Sequence, residues 1–162
     1  MADQQANPAL FESLLMAGLR ATGFVLGARQ LKMYVKSMGE VFVNDLPERL
    51  GMERPEESDA AANIAAFAKI EEATGVYGKD HVNVEESDGG YKVTFNSCPY
   101  AGPCGEVLSE LIEAGQFTKK NLPCLRADIS SALIAESTGQ KTRYELDQFA
   151  PGFKCVSRIE LV

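Results

Sequence analysis

VNVEESDGGYKVTFNSCPY, residues 82–100, is the stretch whose reading decides the fold. Val82, Val84 and Glu86 alternate with Asn83 and Glu85, and Asp88-Gly89-Gly90 is a tight-turn signal. Tyr91, Val93 and Phe95 then alternate with Lys92, Thr94 and Asn96. A period of two on both sides of a glycine turn predicts an antiparallel hairpin with one buried and one polar face. The same pattern closes the chain. Thr142, Tyr144 and Leu146 alternate with charged neighbours, Ala150-Pro151-Gly152 turns, and Phe153, Cys155, Ser157, Ile159 and Leu161 alternate in their turn.

Outward from the hairpins the period becomes helical. Between them, Val107, Leu108, Leu111 and Ile112 predict a helix over 105–114 that stops at Gly115. Leu125, Ile129, Leu133 and Ile134 predict another over 123–137, ending before Gly139. Upstream, residues 8–38 read as helical from Pro8 after Asn7, with Leu10, Leu14, Ala17 and Ala21 as the inward stripe. Gly23 and Gly27 allow close helix packing or a break. A second amphipathic piece over about 28–43 carries Leu31, Val35, Met38 and Phe42, and residues 44–51, with Pro47, read as a boundary or turn. Ser58 and Gly75 are the expected caps of a helix over 59–74, on which Ile64, Phe67, Ala68 and Glu71 share a face. The expected architecture is α+β, with N-terminal helices packed on an antiparallel sheet built from two hairpins separated by two helices. Its 162 residues suit a single domain, 1–162.

With 45% hydrophobic residues the chain can bury a core, and its net charge of −7 argues against a phosphate backbone as partner, so no nucleic acid is expected. No run reaches the ~20 apolar residues of a membrane span. The N-terminal residues lack a basic stretch ahead of an apolar one, so no targeting segment and a cytoplasmic location are expected.

Four cysteines fall in the second half, spaced C-x5-C-x19-C-x30-C: Cys98, Cys104, Cys124 and Cys155. In a reducing compartment, thiol chemistry or metal binding is favoured over structural disulfides. Cys98 and Cys104 frame a loop with Pro99, Gly102 and Pro103, which holds two sulfurs towards one point. Cys104 and Cys124 stand where helices begin, and a helix N-terminus favours the thiolate. Four thiolates suit zinc or an iron–sulfur cluster, although the spacing matches neither the C-x2-C zinc pair nor the ferredoxin run. The parity of its strand puts Cys155 on the core face, where a buried thiol is an equal reading. His81, the single histidine, reads as a solvated turn residue, and Glu71–Glu72 as a solvated helix face. Neither a nucleophile elbow nor a phosphate or dinucleotide loop is present.

Together, the hairpin VNVEESDGGYKVTFNSCPY, the CPYAGPC turn into GEVLSELIEAG, and the closing YELDQFAPGFKCVSRIEL resemble the 4-vinyl reductase domain family. That family shares its fold with TRAPP vesicle-tethering subunits and haem nitric-oxide-binding domains. The resemblance spans residues 8–162 and rests on element order rather than one motif. It implies a small-molecule-binding, sensory domain with a hydrophobic pocket between helices and sheet, forming a homodimer. The pocket candidates are Tyr100, Phe95 and Phe67, and the ligand is a hydrophobic small molecule. Some members hold zinc with cysteines and a glutamate. Here the penultimate strand offers only Glu145 and Asp147, so Cys155 and one of Cys98 or Cys104 carry over, with Cys124 as a further ligand. A regulatory, non-catalytic domain is the first expectation. A cysteine-dependent reductase or hydrolase using Cys104 or Cys98 is the second, and a structural or interaction subunit the third. Met16, Gly18, Met33 and Met38 mark a candidate dimer face, a pattern that core burial explains equally.

Overall fold

The computed structural model describes residues 8–51, 59–73, 77–98 and 100–162. Among them, helices α1 (Pro8–Ala21), α2 (Ala28–Leu50) and α3 (Ala60–Ala73) precede the strands β1 (Val82–Ser87) and β2 (Gly90–Phe95). Helix α4 spans residues 101–113 and α5 spans Leu125–Thr138; β3 (Thr142–Gln148) and β4 (Cys155–Leu161) close the chain. The architecture is α+β, with a four-stranded antiparallel sheet, as the two alternating stretches require.

The strand order β1-β2-β4-β3 joins the hairpins along β2 and β4. Phe95 stands opposite Cys155, Val93 opposite Ser157 and Tyr91 opposite Ile159. Gly90 begins β2 where the two ladders meet, and a Cβ there would lie 2.0 Å from the Ile159 carbonyl oxygen. The backbones therefore approach as closely as they do only because position 90 has no side chain.

Helix α1 ends at Ala21 in a widened turn over Thr22–Leu26, and the chain breaks at Gly27, whose φ is 86°. Gly23 lies buried within this turn; an added Cβ would meet Leu111 Cδ1 at 2.9 Å. The glycine pair thus provides both the close approach and the break. The expected stripe on α1 is misplaced, because Leu14 is 65% exposed while Leu19 is buried and Leu15 packs against the core. Helix α2 also outruns its expected end and passes through Pro47. Pro47 is exposed in the last turn, and buried Val43 and Leu46 hold that end to the core, so packing outweighs the missing backbone donor. Gly51, left-handed at φ 63°, returns its N–H to the Leu46 carbonyl. Ser58 and Gly75 lie outside the described residues. The cap of α3 is Asp59, whose carboxylate accepts the N–H groups of Ala61 (2.8 Å) and Ala62 (3.1 Å). Phe153 belongs to the turn rather than to β4 and is exposed.

Helix α5 lies at the centre. Ile129, Leu133 and Ile134 are buried as their spacing predicts, but so are Arg126, Asp128, Ser130 and Ser131. Gly39 of α2 lets α5 approach: a Cβ there would sit 3.0 Å from the Asp128 Cβ. A helix segment buried on successive positions, as residues 126–131 are, must find partners for its polar groups within the protein. No helix among the described residues is long and apolar enough to cross a membrane.

Candidate functional site: a cysteine-lined cavity

The four cysteines come from four different places in the fold. Cys98 follows β2, and its carbonyl accepts the Ala101 N–H at 3.2 Å, which turns the chain into α4. Cys104 sits inside α4, its N–H donating to the Tyr100 carbonyl at 2.8 Å. Cys124 immediately precedes α5, and its carbonyl accepts the Asp128 N–H at 2.8 Å. Cys155 is the first residue of β4, across the ladder from Phe95. All four line one cavity, with Phe95, Leu108, Phe149 and Arg126 also in its wall. All four are free, partly buried thiols. Cys155 is therefore a member of the same site as the other three.

The cavity is small, with about 20 Å³ through which the centre of a water-sized sphere can move. A second, similar space of about 20 Å³ adjoins it behind a shared wall of Cys104, Leu108 and Pro123. Tyr100 lines this second space together with Leu15, Leu19, Val35 and Met38. Of the candidate pocket residues, then, Phe95 faces the thiols and Tyr100 faces their neighbour. Phe67 lines neither space; it packs edge-on against Phe42, ring centroids 5.9 Å apart. Organic ligands usually occupy ~300–1,000 Å³. Neither space has that room; each holds about one water molecule.

The helix-start argument for acidic thiols is overturned. Burial pushes Cys104 well above the ordinary thiol value, and pushes Cys124 up to about 12. Cys98 and Cys155 are also raised by burial, and the Arg126 guanidinium partly offsets both. Loss of water outweighs a helix dipole when the thiol has no fixed partner charge. Thiolates in this cavity need such a charge, which a bound metal supplies.

Arg126 is the cation of the cavity wall. It is 2% exposed and its flat group lies 4.7 Å from the centre of the Phe95 ring and 4.8 Å from that of Tyr77. Nη1 donates to the Ser97 carbonyl at 2.5 Å and Nη2 to Glu71 Oε2 at 2.8 Å. Nε is buried with no hydrogen-bond partner among the described residues. The same Glu71 oxygen lies 2.8 Å from His81 Nε2, and His81 Nδ1 lies 3.0 Å from the Gly78 carbonyl. A carbonyl and a carboxylate oxygen thus face the two ring nitrogens, and the tautomer decides which nitrogen donates. His81 is 2% exposed and Glu71 8% exposed, so the solvated readings of both are corrected. Each lacks solvent because α3 and the turn before β1 close over Arg126. A signal for Arg126 did exist: it directly follows Leu125 in the helix that carries Ile129 and Leu133 inward. Nothing in the spacing of Glu71 marks it as the partner of Arg126, 55 positions away, or of His81.

A second buried group anchors Cys124. The Tyr144 hydroxyl accepts the Cys124 N–H at 2.8 Å and lies 3.0 Å from Asp128 Oδ2, to which it donates. Burial pushes the Asp128 carboxyl up to about 7, with the Tyr144 hydrogen bond and Lys32 opposing the shift.

The donor set is all thiol, which selects zinc or iron–sulfur chemistry over hard cations. Among the described residues, however, no group of three or more His, Cys, Asp or Glu is placed to hold a metal ion. A tetrahedral zinc with ~2.3 Å bonds would draw its sulfurs to within roughly 3.8 Å of one another. The four cysteines share a wall without that closure. Compared with models of known protein families and with curated proteins, the chain matches none.

Proposed function

We propose that the chain is a regulatory, non-catalytic sensory domain of the 4-vinyl reductase type whose cysteines hold an iron–sulfur cluster. The observation that carries the reading is the convergence of Cys98, Cys104, Cys124 and Cys155 on one small cavity walled also by apolar side chains and Arg126. A cluster spreads its four thiolate bonds over several iron atoms, so it tolerates a wider set of sulfurs than one zinc ion does. Arg126 and the thiols provide the positive wall and soft donors that such a group takes. When bound, the cluster supplies one-electron chemistry or a reactive inorganic surface. The residues of the chain hold the sulfurs, exclude water through Phe95, Leu108 and Phe149, and balance charge.

A hydrophobic small molecule fits this reading as a ligand of the adjoining space, on widening of the wall between Tyr100 and α2. A homodimer through the exposed Met33, Tyr34 and Val41 of α2 belongs to the same proposal. The test is iron, sulfide and zinc quantitation on protein purified without oxygen, with its visible spectrum. Iron and sulfide in near-equal amounts with charge-transfer absorption support the reading. Zinc alone, or a metal-free and colourless protein, overturns it. The alternative of a cysteine nucleophile is disfavoured by burial that pushes the Cys98 and Cys104 thiols towards their protonated form.

A further inference from the structure

Arg126 leaves one donor over. Its Nη1 and Nη2 atoms donate to the Ser97 carbonyl and to Glu71, and the rings of Phe95 and Tyr77 lie against its flat group. Nε is buried and has no hydrogen-bond partner among the described residues. A buried N–H without a partner marks a place that a further acceptor satisfies. Arg126 also forms part of the wall of the cysteine cavity, and no carboxylate stands among the described residues of that wall. The room there, about 20 Å³ for the centre of a water-sized sphere, suits water or a molecule little larger than water. Within this wall the four thiols are not equivalent. Cys155 stands opposite Phe95 on the β2–β4 ladder, and Cys98 lies three residues past Phe95, so the pairing of the central strands ties these two together. Burial raises both thiols. Against it, Arg126 and the Tyr100 N–H favour the anion at Cys98, and the Ala150 N–H and Arg126 favour it at Cys155. Burial pushes Cys104 well above the ordinary thiol value and Cys124 up to about 12.

We propose that this wall is a peroxide-reactive dithiol site, in which Arg126 holds hydrogen peroxide in the cavity, Cys155 is oxidised by it, and Cys98 then closes a Cys98–Cys155 disulfide. The proposal concerns the chain with its thiols free and does not rest on a bound cluster. Hydrogen peroxide is two bonded oxygens with one hydrogen each, so it is the oxidant that so small a space selects. Its oxygens accept the N–H that Arg126 leaves over. The Cys155 sulfur attacks one oxygen: an S–O bond forms, the O–O bond breaks, and the departing hydroxide takes the thiol proton and leaves as water. Cys155 is then a sulfenic acid. The Cys98 sulfur attacks that sulfur: an S–S bond forms, the S–O bond breaks, and the hydroxyl leaves with the Cys98 proton as a second water. The two thiols lose two electrons and the peroxide gains two. The disulfide occupies no more room than the thiols did, so the cavity need not widen for it. Glu71 and the Ser97 carbonyl set the guanidinium before peroxide arrives, so its donor is already placed.

The experiment uses the full chain, reduced, freed of metal by a chelator that stays present, and kept without oxygen. One sample receives an equivalent of hydrogen peroxide, and a parallel one an equivalent of oxidised glutathione, a disulfide too large for the cavity. Free thiols are followed with time, and linked peptides are identified by mass spectrometry without reduction. Peroxide is expected to remove two thiols per chain and to join Cys98 to Cys155. The ratio of the peroxide rate to the glutathione rate is expected to be higher in the folded chain than in urea. Arg126→Met is expected to slow the peroxide reaction on the order of tenfold, the effect of removing a nearby charge at an effective dielectric of about 20. Cys98→Ser keeps the test open if that variant does not fold: it cannot close the disulfide, and dimedone is expected to trap the sulfenic acid on Cys155. Unreacted thiols, a link between other cysteines, a rate ratio unchanged by unfolding, or a folded Arg126→Met chain that reacts as fast as wild type overturns the proposal. So does a Cys98→Ser chain without a dimedone adduct on Cys155.

Discussion

Arg126 Nη2 lies 2.8 Å from Glu71 Oε2, and this contact ties α5 to α3 across 55 residues at the back of the cysteine cavity. Both groups are buried, so their pairing is a condition of folding as much as a feature of the site. Removing one partner leaves the other charged and without water.

Glu71→Ala is expected to lower unfolding stability by about 3–5 kcal/mol, the usual cost of orphaning a buried charge. Glu71→Leu combined with Arg126→Met is expected to cost less than the sum of the two single changes. Urea unfolding of the four proteins measures the coupling, and strict additivity would show that the pair does not interact.

Asp128 gives a pH signature. Its carboxyl is raised to about 7 in the folded chain, against an ordinary value of 3.8. Between these values the folded chain binds a proton that the unfolded chain does not. The stability from that proton is fully present below about pH 4 and is lost as pH rises through about 7. Asp128→Asn keeps an acceptor for Tyr144 and cannot ionise. Relative to wild type, it is expected to gain stability from about pH 4 to about pH 7 and to level off above that. Chemical denaturation at several pH values reads this difference, and a flat one would show that Asp128 is an ordinary carboxylate.

The thiols of the metal-free chain are expected to react slowly with iodoacetamide. Cys124, raised to about 12, and Cys104, raised well above the ordinary thiol value by burial and by its neighbours, hold almost no thiolate at pH 8. Mass spectrometry after brief labelling is expected to find these two least modified, and denaturant is expected to make all four alike. Fast labelling of Cys124 in the folded state would contradict its burial.

Gly90→Ala is expected to destabilise the chain by on the order of 1–3 kcal/mol, because the new methyl group would meet the Ile159 carbonyl at 2.0 Å and part β2 from β4. Thermal unfolding measures the loss. Gly18→Ala, with nothing within 4 Å of the added carbon, serves as the control.

The sequence by itself determined the fold class. Strict alternation around Asp88-Gly89-Gly90 and around Ala150-Pro151-Gly152 specifies two hairpins, because a period of two gives a buried face only to a strand. It also singled out the four cysteines, although their long spacings left Cys155 as an equal choice between ligand and core. Their meeting was decided by tertiary structure, through the β2–β4 pairing that sets Cys155 opposite Phe95 and through the packing that brings Cys104 and Cys124 to the same wall. The same holds for His81 and Glu71. Each reads as solvated along the chain, since local pattern records only what lies one turn or one strand away. Both became buried when α3 and the turn before β1 closed over Arg126, a charge that has no water and draws its partners from wherever the fold can supply them.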